Sequence, residues 1–320
     1  MDWHQARRKL RLGPRPLTRW RGAPQVSKGA NVNGWNGPER APPEPPGNGR
    51  PHAASVCIAS GKGGTGKSVV SASIASLFAR RGRTLLVDAD LGVGNAHILQ
   101  DVSPDLTFVD VVEERCEVED AVVRCSDRLD LLGAGSGYAN MAALTPYQMY
   151  LIASGLERLE RGYRYLLVDS AAGISDQTLT FAAACDVVVL VTTPDVTAMT
   201  DAYAFLKVLA QRRSGARPLL VVNRVFGGED AASVAQRIAS VSQKFLGSEP
   251  RSLGGLPEDR AAFRSVQRRQ PVVEAEPDSD LARALQRVAD DIEVEIAVVG
   301  SARGLGGVLV REVDYVASGA

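Results

Sequence analysis

Lysine is scarce in this chain of 320 residues: six of its 37 basic residues are lysines, and arginine supplies the other 31. Aromatic residues make up 5% of the chain, and there are four cysteines. The cysteines stand at no spacing typical of a metal site, and Cys57 and Cys185 lie in or beside apolar runs, which favours buried, reduced thiols. No apolar run approaches the ~18 residues of a membrane span, and the N-terminus has no hydrophobic segment typical of a secretory signal. These absences point to a cytoplasmic protein.

Charge is unevenly distributed, although the formal net charge is zero. Residues 1–52 carry ten Lys/Arg and three Asp/Glu and are rich in Pro and Gly. Such a composition buries too little apolar surface to fold, so a disordered basic tail is predicted there. A short basic helix with Trp3, Ala6 and Leu10 on one face is the alternative for its first dozen residues. The remainder is acidic on balance, which gives it no global attraction to nucleic acid or anionic lipid.

From Ser55 onward, short apolar runs rich in β-branched residues alternate with longer segments of helical period. Strands that are apolar on both faces and alternate with helices are typical of βαβ units. The pattern therefore predicts an α/β fold with a doubly wound, mostly parallel sheet flanked by helices. We assign residues 53–296 to this domain and residues 297–320 to a C-terminal extension without a clear pattern. The predicted strands are "SVCIAS", "TLLVDAD", "LDLLGAG", "YLLVDS", "DVVVLVTT", "PLLVVNRV" and "LGGLPED".

A glycine-rich stretch, "GKGGTGKS" from Gly61 to Ser68, follows the first predicted strand and opens the first predicted helix. It fits GxxxxGK[ST], and this context distinguishes a phosphate-binding loop from an ordinary glycine-rich turn. The loop backbone, from Gly63 and Gly64 through Thr65 and Gly66, would turn its N–H groups toward phosphates at a helix N-terminus. Lys67 would hold the β- and γ-phosphates, and Ser68 would coordinate Mg²⁺.

Carboxylates follow two of the predicted strands. Asp88 and Asp90 come directly after "LLV" in "LLVDADLGVGN", and Asp169 ends "YLLVD". A buried aspartate that closes an apolar strand is costly unless it is paired or lies near a metal. Beside a phosphate loop, such carboxylates can order water on Mg²⁺ and orient an attacking water. We therefore expect Asp88 to serve the metal, and Asp169 to be paired or to lie near a metal.

The loop resembles the deviant Walker motif KGGxGK[ST] of the ParA/MinD superfamily of P-loop ATPases, and the resemblance extends roughly from Ser55 to Ile292. It implies a MinD-like fold, with ATP and Mg²⁺ as cofactors. It also implies that Lys62 reaches across a dimer to ATP bound by the partner subunit, and that Asp90 is the catalytic carboxylate. Asp169 matches the Walker B aspartate of the family, and Gly173 would approach the γ-phosphate.

Two later stretches match the adenine pocket of the same superfamily. "VVNR" places Asn223 as the base-reading residue and Arg224 beside the adenine. "LPED" places Pro257 and Glu258 near the base. Such a pocket belongs at the carboxyl edge of a doubly wound sheet.

Three stretches of the chain are most similar to the flagellar-number regulators of the superfamily (FlhG, also called FleN or YlxH). The most discriminating features within them are "TDAY" at Thr200–Tyr203 and Ser175 after "AGI". This resemblance implies a slowly hydrolysing ATPase switch, dimeric with ATP and monomeric without it, that controls flagellar number or placement. A MinD/ParA-type regulator of cell division, cargo or DNA positioning is the alternative. A metal-cluster carrier would need Cys116 and Cys125 at the dimer axis, and these match no cysteine motif of the superfamily.

Both ends of the chain bear on partners. "HQARRKLR" near the N-terminus is similar to a DQAxxLR motif that acts on an FlhF-like GTPase, so such a GTPase or other flagellar basal-body or regulatory proteins are the expected partners, with no specific nucleic acid. Family members commonly end in a basic amphipathic helix at the inner face of the cell membrane. Here Arg303 and Arg311 are balanced by Glu312 and Asp314. Glycines interrupt the segment, and "VLVREVDYV" favours a strand. Membrane association through this segment is therefore not expected.

Overall fold

One sheet of eight strands organises the chain in the computed structural model, which describes residues 52–92, 94–135, 144–213, 218–226, 231–300 and 304–318. The order across the sheet is β3-β4-β2-β5-β1-β6-β7-β8, and only the β3–β4 pair in this sheet is antiparallel. The predicted doubly wound, mostly parallel sheet is thereby confirmed. The strands are β1 Ala54–Ser60, β2 Thr84–Ala89, β3 Val122–Arg124, β4 Leu129–Leu132, β5 Tyr165–Ala172, β6 Val187–Thr192, β7 Leu219–Val225 and β8 Arg251–Pro257.

Helices cover both faces of this sheet because successive strand residues point to opposite sides. In β1, Cys57 packs with one apolar cluster and Ile58 with another. The first cluster includes side chains from α3 to α7 and from α11, and the second includes side chains from α1, α9 and α10. The helices are α1 Lys67–Ala79, α2 Ala96–Leu99, α3 Phe108–Val112, α4 Pro146–Leu159, α5 Asp176–Ala184, α6 Val196–Arg212, α7 Ala231–Leu246, α8 Arg260–Gln267, α9 Val272–Ala275, α10 Asp280–Val299 and α11 Leu305–Ser318.

The described residues begin at His52, so the rest of the predicted basic tail and its DQAxxLR-like stretch lie outside them. Arg303 and the side chains of Glu312 and Asp314 lie outside them as well. Within the described ranges, no helix is long and apolar enough to cross a membrane.

The C-terminal segment corrects one expectation: "VLVREVDYV" is part of helix α11 and not a strand. Leu305, Val308 and Leu309 of this helix are buried in the core cluster that also contains α4. The N-terminus of the helix is held by the buried carboxylate of Glu160, whose Oε2 accepts a hydrogen bond of 3.3 Å from the N–H of Gly306. Burial raises the pKa of Glu160, and this backbone contact acts against the rise.

Glycines that looked like helix breakers instead bring α11 against α4. A Cβ atom added to Gly306 would lie 2.2 Å from the backbone nitrogen of Glu157, whereas one added to Gly307 would lie 3.7 Å from the Glu157 carboxylate. The first distance is a severe clash with backbone, and the second is an ordinary contact. The sequence pattern was misleading because the need for glycine at position 306 comes from its contact with α4, which lies more than 140 residues earlier in the chain.

We expect Gly306→Ala to lower the free energy of unfolding by about 1–3 kcal/mol, because α11 must shift away from α4 to admit the methyl group. Gly307→Ala is the matched control and should be neutral or stabilising by up to about 1 kcal/mol, since alanine forms helix better than glycine. Equilibrium urea unfolding of the two variants measures the difference. Equal stabilities would contradict the close contact at Gly306.

Candidate functional site

The predicted site residues gather where parallel strands end. The phosphate loop follows β1, and Asp88 is the penultimate residue of β2. Asp169 lies in β5, the strand between β2 and β1 in the sheet. Asn223 and Pro257 lie toward the ends of β7 and β8 on the other side of β1. The carboxyl edge of a doubly wound sheet is where such folds bind ligands. The sheet therefore brings together residues that are as much as 200 positions apart.

The loop between β1 and α1 has the backbone of a phosphate cradle. Gly64 and Gly66 have φ values of 81° and 84°, in the left-handed region that glycine tolerates. Helix α1 begins at Lys67, and its first turn contains no acidic side chain. The N–H groups at a helix N-terminus have no partner within the helix and attract anions. The loop and the first turn of α1 together can receive a phosphate group.

Lys67 points into the protein and pairs with Asp169. Its Nζ atom lies 2.6 Å from Asp169 Oδ1 and 3.5 Å from the Ser68 hydroxyl. The side chains of Lys67 and Asp169 are only 7% and 1% exposed. Because water is nearly excluded, this charge-assisted contact fixes both groups. Lys67 is thus placed between the phosphate loop and the Walker B position that the sequence predicted.

Asp88 stands directly beside Asp169, since the two residues are register partners on neighbouring strands β2 and β5. The carboxylate of Asp88 accepts hydrogen bonds from the backbone N–H groups of Asp90 and Ala96, at 3.2 and 3.0 Å. Burial, and next the neighbouring Asp169 carboxylate, raise the pKa of Asp88 to about 7. Two buried carboxylates that are paired on neighbouring strands favour a proton or a cation between them.

These groups fit a magnesium ion bound together with a nucleotide. Mg²⁺ in nucleotide sites takes one or two protein oxygen ligands, substrate phosphates and several waters. Ser68 offers a half-buried hydroxyl at the start of α1, and Asp88 and Asp169 offer oxygens beside it. Among the described residues there is no group of three or more His, Cys, Asp or Glu side chains able to hold a metal by themselves. The donor set is therefore suited to a metal that arrives with phosphate.

Lys62, the other lysine of the loop, points away from this buried pair. Its Nζ atom lies 2.5 Å from Thr197 Oγ1 and 3.7 Å from Asp195 Oδ1, at the N-terminus of α6. The Lys62 and Asp195 side chains are 44% and 54% exposed. Hydrogen bonds from Thr197 and Thr193 are the main causes that lower the pKa of Asp195, with a smaller contribution from Lys62. Asp195 is ionised at neutral pH and holds Lys62 on the surface of its own chain.

The sequence reading gave no role to Asp195 and Thr197. Both lie just before "TDAY", in a stretch whose only signal in the sequence is its similarity to the flagellar-number regulators. Aspartate followed two residues later by threonine is an ordinary way to begin a helix, and Asp195 does accept a hydrogen bond from the backbone N–H of Ala198. A close approach of the loop to this helix was detectable only from structure: a Cβ on Gly61 would lie 2.3 Å from the carbonyl carbon and oxygen of Asp201.

Asn223 makes a contact that its predicted role as a base reader did not include. Its Nδ2 atom donates to the backbone carbonyl of Thr65 at 2.7 Å, and the residue is 8% exposed. A Cβ on Gly66 would lie 2.4 Å from this same nitrogen, so Gly66 is needed for the contact. Asn223 therefore braces the phosphate loop from β7, while its reading of adenine stays a prediction.

The remaining predicted residues surround this core of the site. Arg224 adopts a φ of 60°, unusual for a residue with a side chain, and its Nε donates to Glu258 at 2.8 Å. Gly173 has a φ of 92°, and its N–H donates to the Ser60 carbonyl at 2.9 Å, which ties the segment after β5 to the phosphate loop. Asp90 is half-buried just after β2. A residue with a side chain in the left-handed region, such as Arg224, is often found at a ligand site.

The four cysteines differ in burial. Cys57 and Cys185 are buried, as predicted, and all four are free. Burial raises the pKa of Cys125 to about 12 and, with nearby carboxylates, raises that of Cys116. These environments favour the protonated thiol at both positions.

Comparison with known proteins agrees with this geometry. Residues 56–272 match the family described as the CobQ/CobB/MinD/ParA nucleotide binding domain. The antiactivator FleN of Pseudomonas aeruginosa is 31% identical over 239 residues, which cover 74% of this chain and 85% of FleN. The flagellum site-determining protein YlxH of Helicobacter pylori is 27% identical over 236 residues, covering 73% of this chain and 80% of YlxH.

A solved structure gives the same assignment at the level of the fold. The cell division ATPase MinD of Pyrococcus furiosus superposes with a TM-score of 0.65 and 26% identity, covering 76% of this chain and 99% of MinD. The family match spans the phosphate loop, both buried carboxylates and Asn223. The chain therefore belongs to the CobQ/CobB/MinD/ParA family of nucleotide-binding domains, with flagellar regulators and MinD among its relatives.

Proposed function

We propose that this chain is an ATP-dependent regulatory switch that binds Mg-ATP, dimerises in that state, hydrolyses ATP slowly and controls flagellar number or placement. The single observation that carries the switch is the separation of the two loop lysines. Lys67 is buried on Asp169, whereas Lys62 is exposed and held on α6 of its own chain. The flagellar role rests on the similarity to FleN and YlxH.

Within one subunit, the chain prepares the phosphates for attack. The loop N–H groups and Lys67 bind the β- and γ-phosphates, and Ser68, Asp88 and Asp169 are the residues that would hold Mg²⁺. When bound, Mg²⁺ neutralises charge on the phosphate oxygens. Asp90 orients the attacking water, since it follows β2 at the same edge of the sheet.

Lys62 serves a different subunit in this proposal. Lys62 is too exposed to be part of the buried phosphate cradle. Its contacts with Thr197 and Asp195 lie at the surface, where water and salt weaken ion pairs, so breaking these contacts costs little free energy. A second copy with bound ATP would offer Lys62 the negative charge of its phosphates, closer to the ammonium group than Asp195 is now and in an interface with less water. Lys62 would then stabilise both the dimer and the transition state, much as an arginine finger does.

We expect the chain to prefer adenine nucleotides and to need magnesium for tight binding. Asn223 and the Arg224–Glu258 pair border the expected base pocket, and the Asp88–Asp169 pair favours a cation. Titration of ATP and GTP, each with Mg²⁺ or with EDTA, measures both properties. Equal affinity for GTP would remove the adenine pocket, and magnesium-independent binding would remove the metal assignment.

Alanine substitution should separate the two lysines. Lys67→Ala should abolish nucleotide binding, because the phosphates lose their buried cation. Lys62→Ala should leave binding by a monomer largely intact but weaken the ATP-dependent dimer by about 2–5 kcal/mol, the usual cost of removing one partner of a desolvated charge pair. Light scattering with ATP in an Asp90→Ala background, in which hydrolysis should be nearly lost, measures the dimer.

Lys207→Ala is the control for this experiment, since Lys207 is another exposed lysine, located on α6. It should dimerise like its parent. If Lys62→Ala also dimerised like its parent, Lys62 would be only a surface charge, and the switch would need another explanation.

Deletion of the gene in the organism that carries this chain should change the number or position of flagella, as counted by electron microscopy. Similarity to MinD leaves a role in cell division as the alternative. Displaced septa with normal flagella would favour that alternative. Complementation with the Lys62→Ala gene should fail in either case if the dimer is the active state.

A further inference from the structure

Ser71 is a buried hydroxyl on α1 that donates to the same carboxylate oxygen as Lys67. Its Oγ atom lies 2.7 Å from Asp169 Oδ1, while Lys67 Nζ lies 2.6 Å from that atom. Ser71 and Asp169 are each 1% exposed. The hydroxyl therefore lies in the interior, behind the phosphate loop, where an unpaired polar group would be costly.

The position of Ser71 on its helix explains why it reaches this carboxylate. It follows Lys67 by four residues, so the two side chains share one face of α1. The Ser71 hydroxyl also lies 3.1 Å from the backbone carbonyl of Lys67. A hydroxyl has one proton to donate, and the nearer, charged oxygen of Asp169 is the stronger acceptor. The proton is thus directed to Asp169.

A bound nucleotide would affect the two donors to Asp169, Lys67 and Ser71, differently. The ammonium group of Lys67 must serve the β- and γ-phosphates, so its charge is then shared between phosphate and Asp169. Ser71 lies one turn further into the helix and is fully buried, so it stays with Asp169. We therefore expect Ser71 to keep its hydrogen bond to Asp169 once ATP is bound.

The hydrogen bond from Ser71 matters because the Asp169 carboxylate can rotate easily about its last side-chain bond. The last torsion of an aspartate side chain has a broad energy well, so hydrogen bonds decide where its oxygens point. Asp169 also stands beside the Asp88 carboxylate on the neighbouring strand, and repulsion favours turning the two groups apart. Carboxylates that support a metal act only when they are held toward it.

We propose that Ser71 is a positioning residue for the magnesium site: its hydroxyl fixes Asp169 so that this carboxylate still supports Mg²⁺ after Lys67 has engaged the phosphates. This inference rests on the proposed function, in which Asp169 is one of the residues that would hold Mg²⁺ in the ATP complex. It adds a residue that the phosphate-loop motif, which ends at Ser68, does not contain.

Helix α1 offers a matched control for this proposal. Ser76 is also buried, at 3% exposure, but its Oγ has no hydrogen-bond partner among the described residues. Ser76→Ala therefore makes the same chemical change in the same helix without removing a contact to the site. Ser71→Thr keeps a hydroxyl at the proposed position, and Ser71→Cys keeps the volume but donates weakly.

The test measures magnesium dependence in the full chain, with a fluorescent ATP analogue as the probe. Its affinity is determined in EDTA and then at rising Mg²⁺. For Ser71→Ala we expect affinity in EDTA within about twofold of wild type, and a rise of roughly 10- to 100-fold in the Mg²⁺ concentration that gives half of the tightening. Ser76→Ala should follow wild type, and Ser71→Thr should recover most of the loss.

Three outcomes overturn the proposal: a wild-type magnesium titration for Ser71→Ala, an equal loss of affinity with and without Mg²⁺, or a loss of the same size in Ser76→Ala. Thermal unfolding without nucleotide checks that the variants are folded. If Ser71→Ala does not fold, Ser71→Cys replaces it, and an intermediate shift in the same direction is required. Failure of the wild-type chain to bind ATP would instead overturn the proposed function.

Discussion

The contact between Lys67 and Asp169 is the interaction on which the rest of the site depends. Parallel register places Asp88 and Asp169 side by side on β2 and β5, in a region almost without water. Such a pair is unfavourable unless positive charge is near. Lys67 provides that charge from the first turn of α1, and this binds the helix N-terminus to the sheet. The glycine-rich loop and the buried carboxylate pair are consequently parts of one electrostatic arrangement.

Burial also distinguishes the two loop lysines in a chain that otherwise prefers arginine. Lys67 occupies a narrow interior position, where a compact ammonium group on a flexible stem fits better than a planar guanidinium. Lys62 stands five residues before Lys67, on the exposed side of the loop, and contacts a hydroxyl group of α6. The same residue type therefore occupies one buried and one exposed position, and the glycine-rich turn between them separates the two side chains.

Much of this arrangement could be predicted from the sequence, because apolar runs identify parallel strands and polar residues at their ends must meet at one edge. Features that depend on contacts between distant segments could not. Gly306 looked like an interruption until Glu157 was found against it. Ser71 is a small polar residue within a helix pattern, and only the position of Asp169 gives it a role. The short strand β3 was also missed, since three residues carry too little pattern.

Helix α11 has a consequence for how this chain can be dissected. Leu305 and Leu309 are as buried as strand residues, so the helix is part of the domain and not an appendage. Cutting the chain before Leu305 would leave Glu160 without its backbone donor and would uncover the apolar side of α4. A shortened protein of this kind would be prone to self-association. Any property that it gained or lost would report on damaged packing rather than on a task of the removed segment.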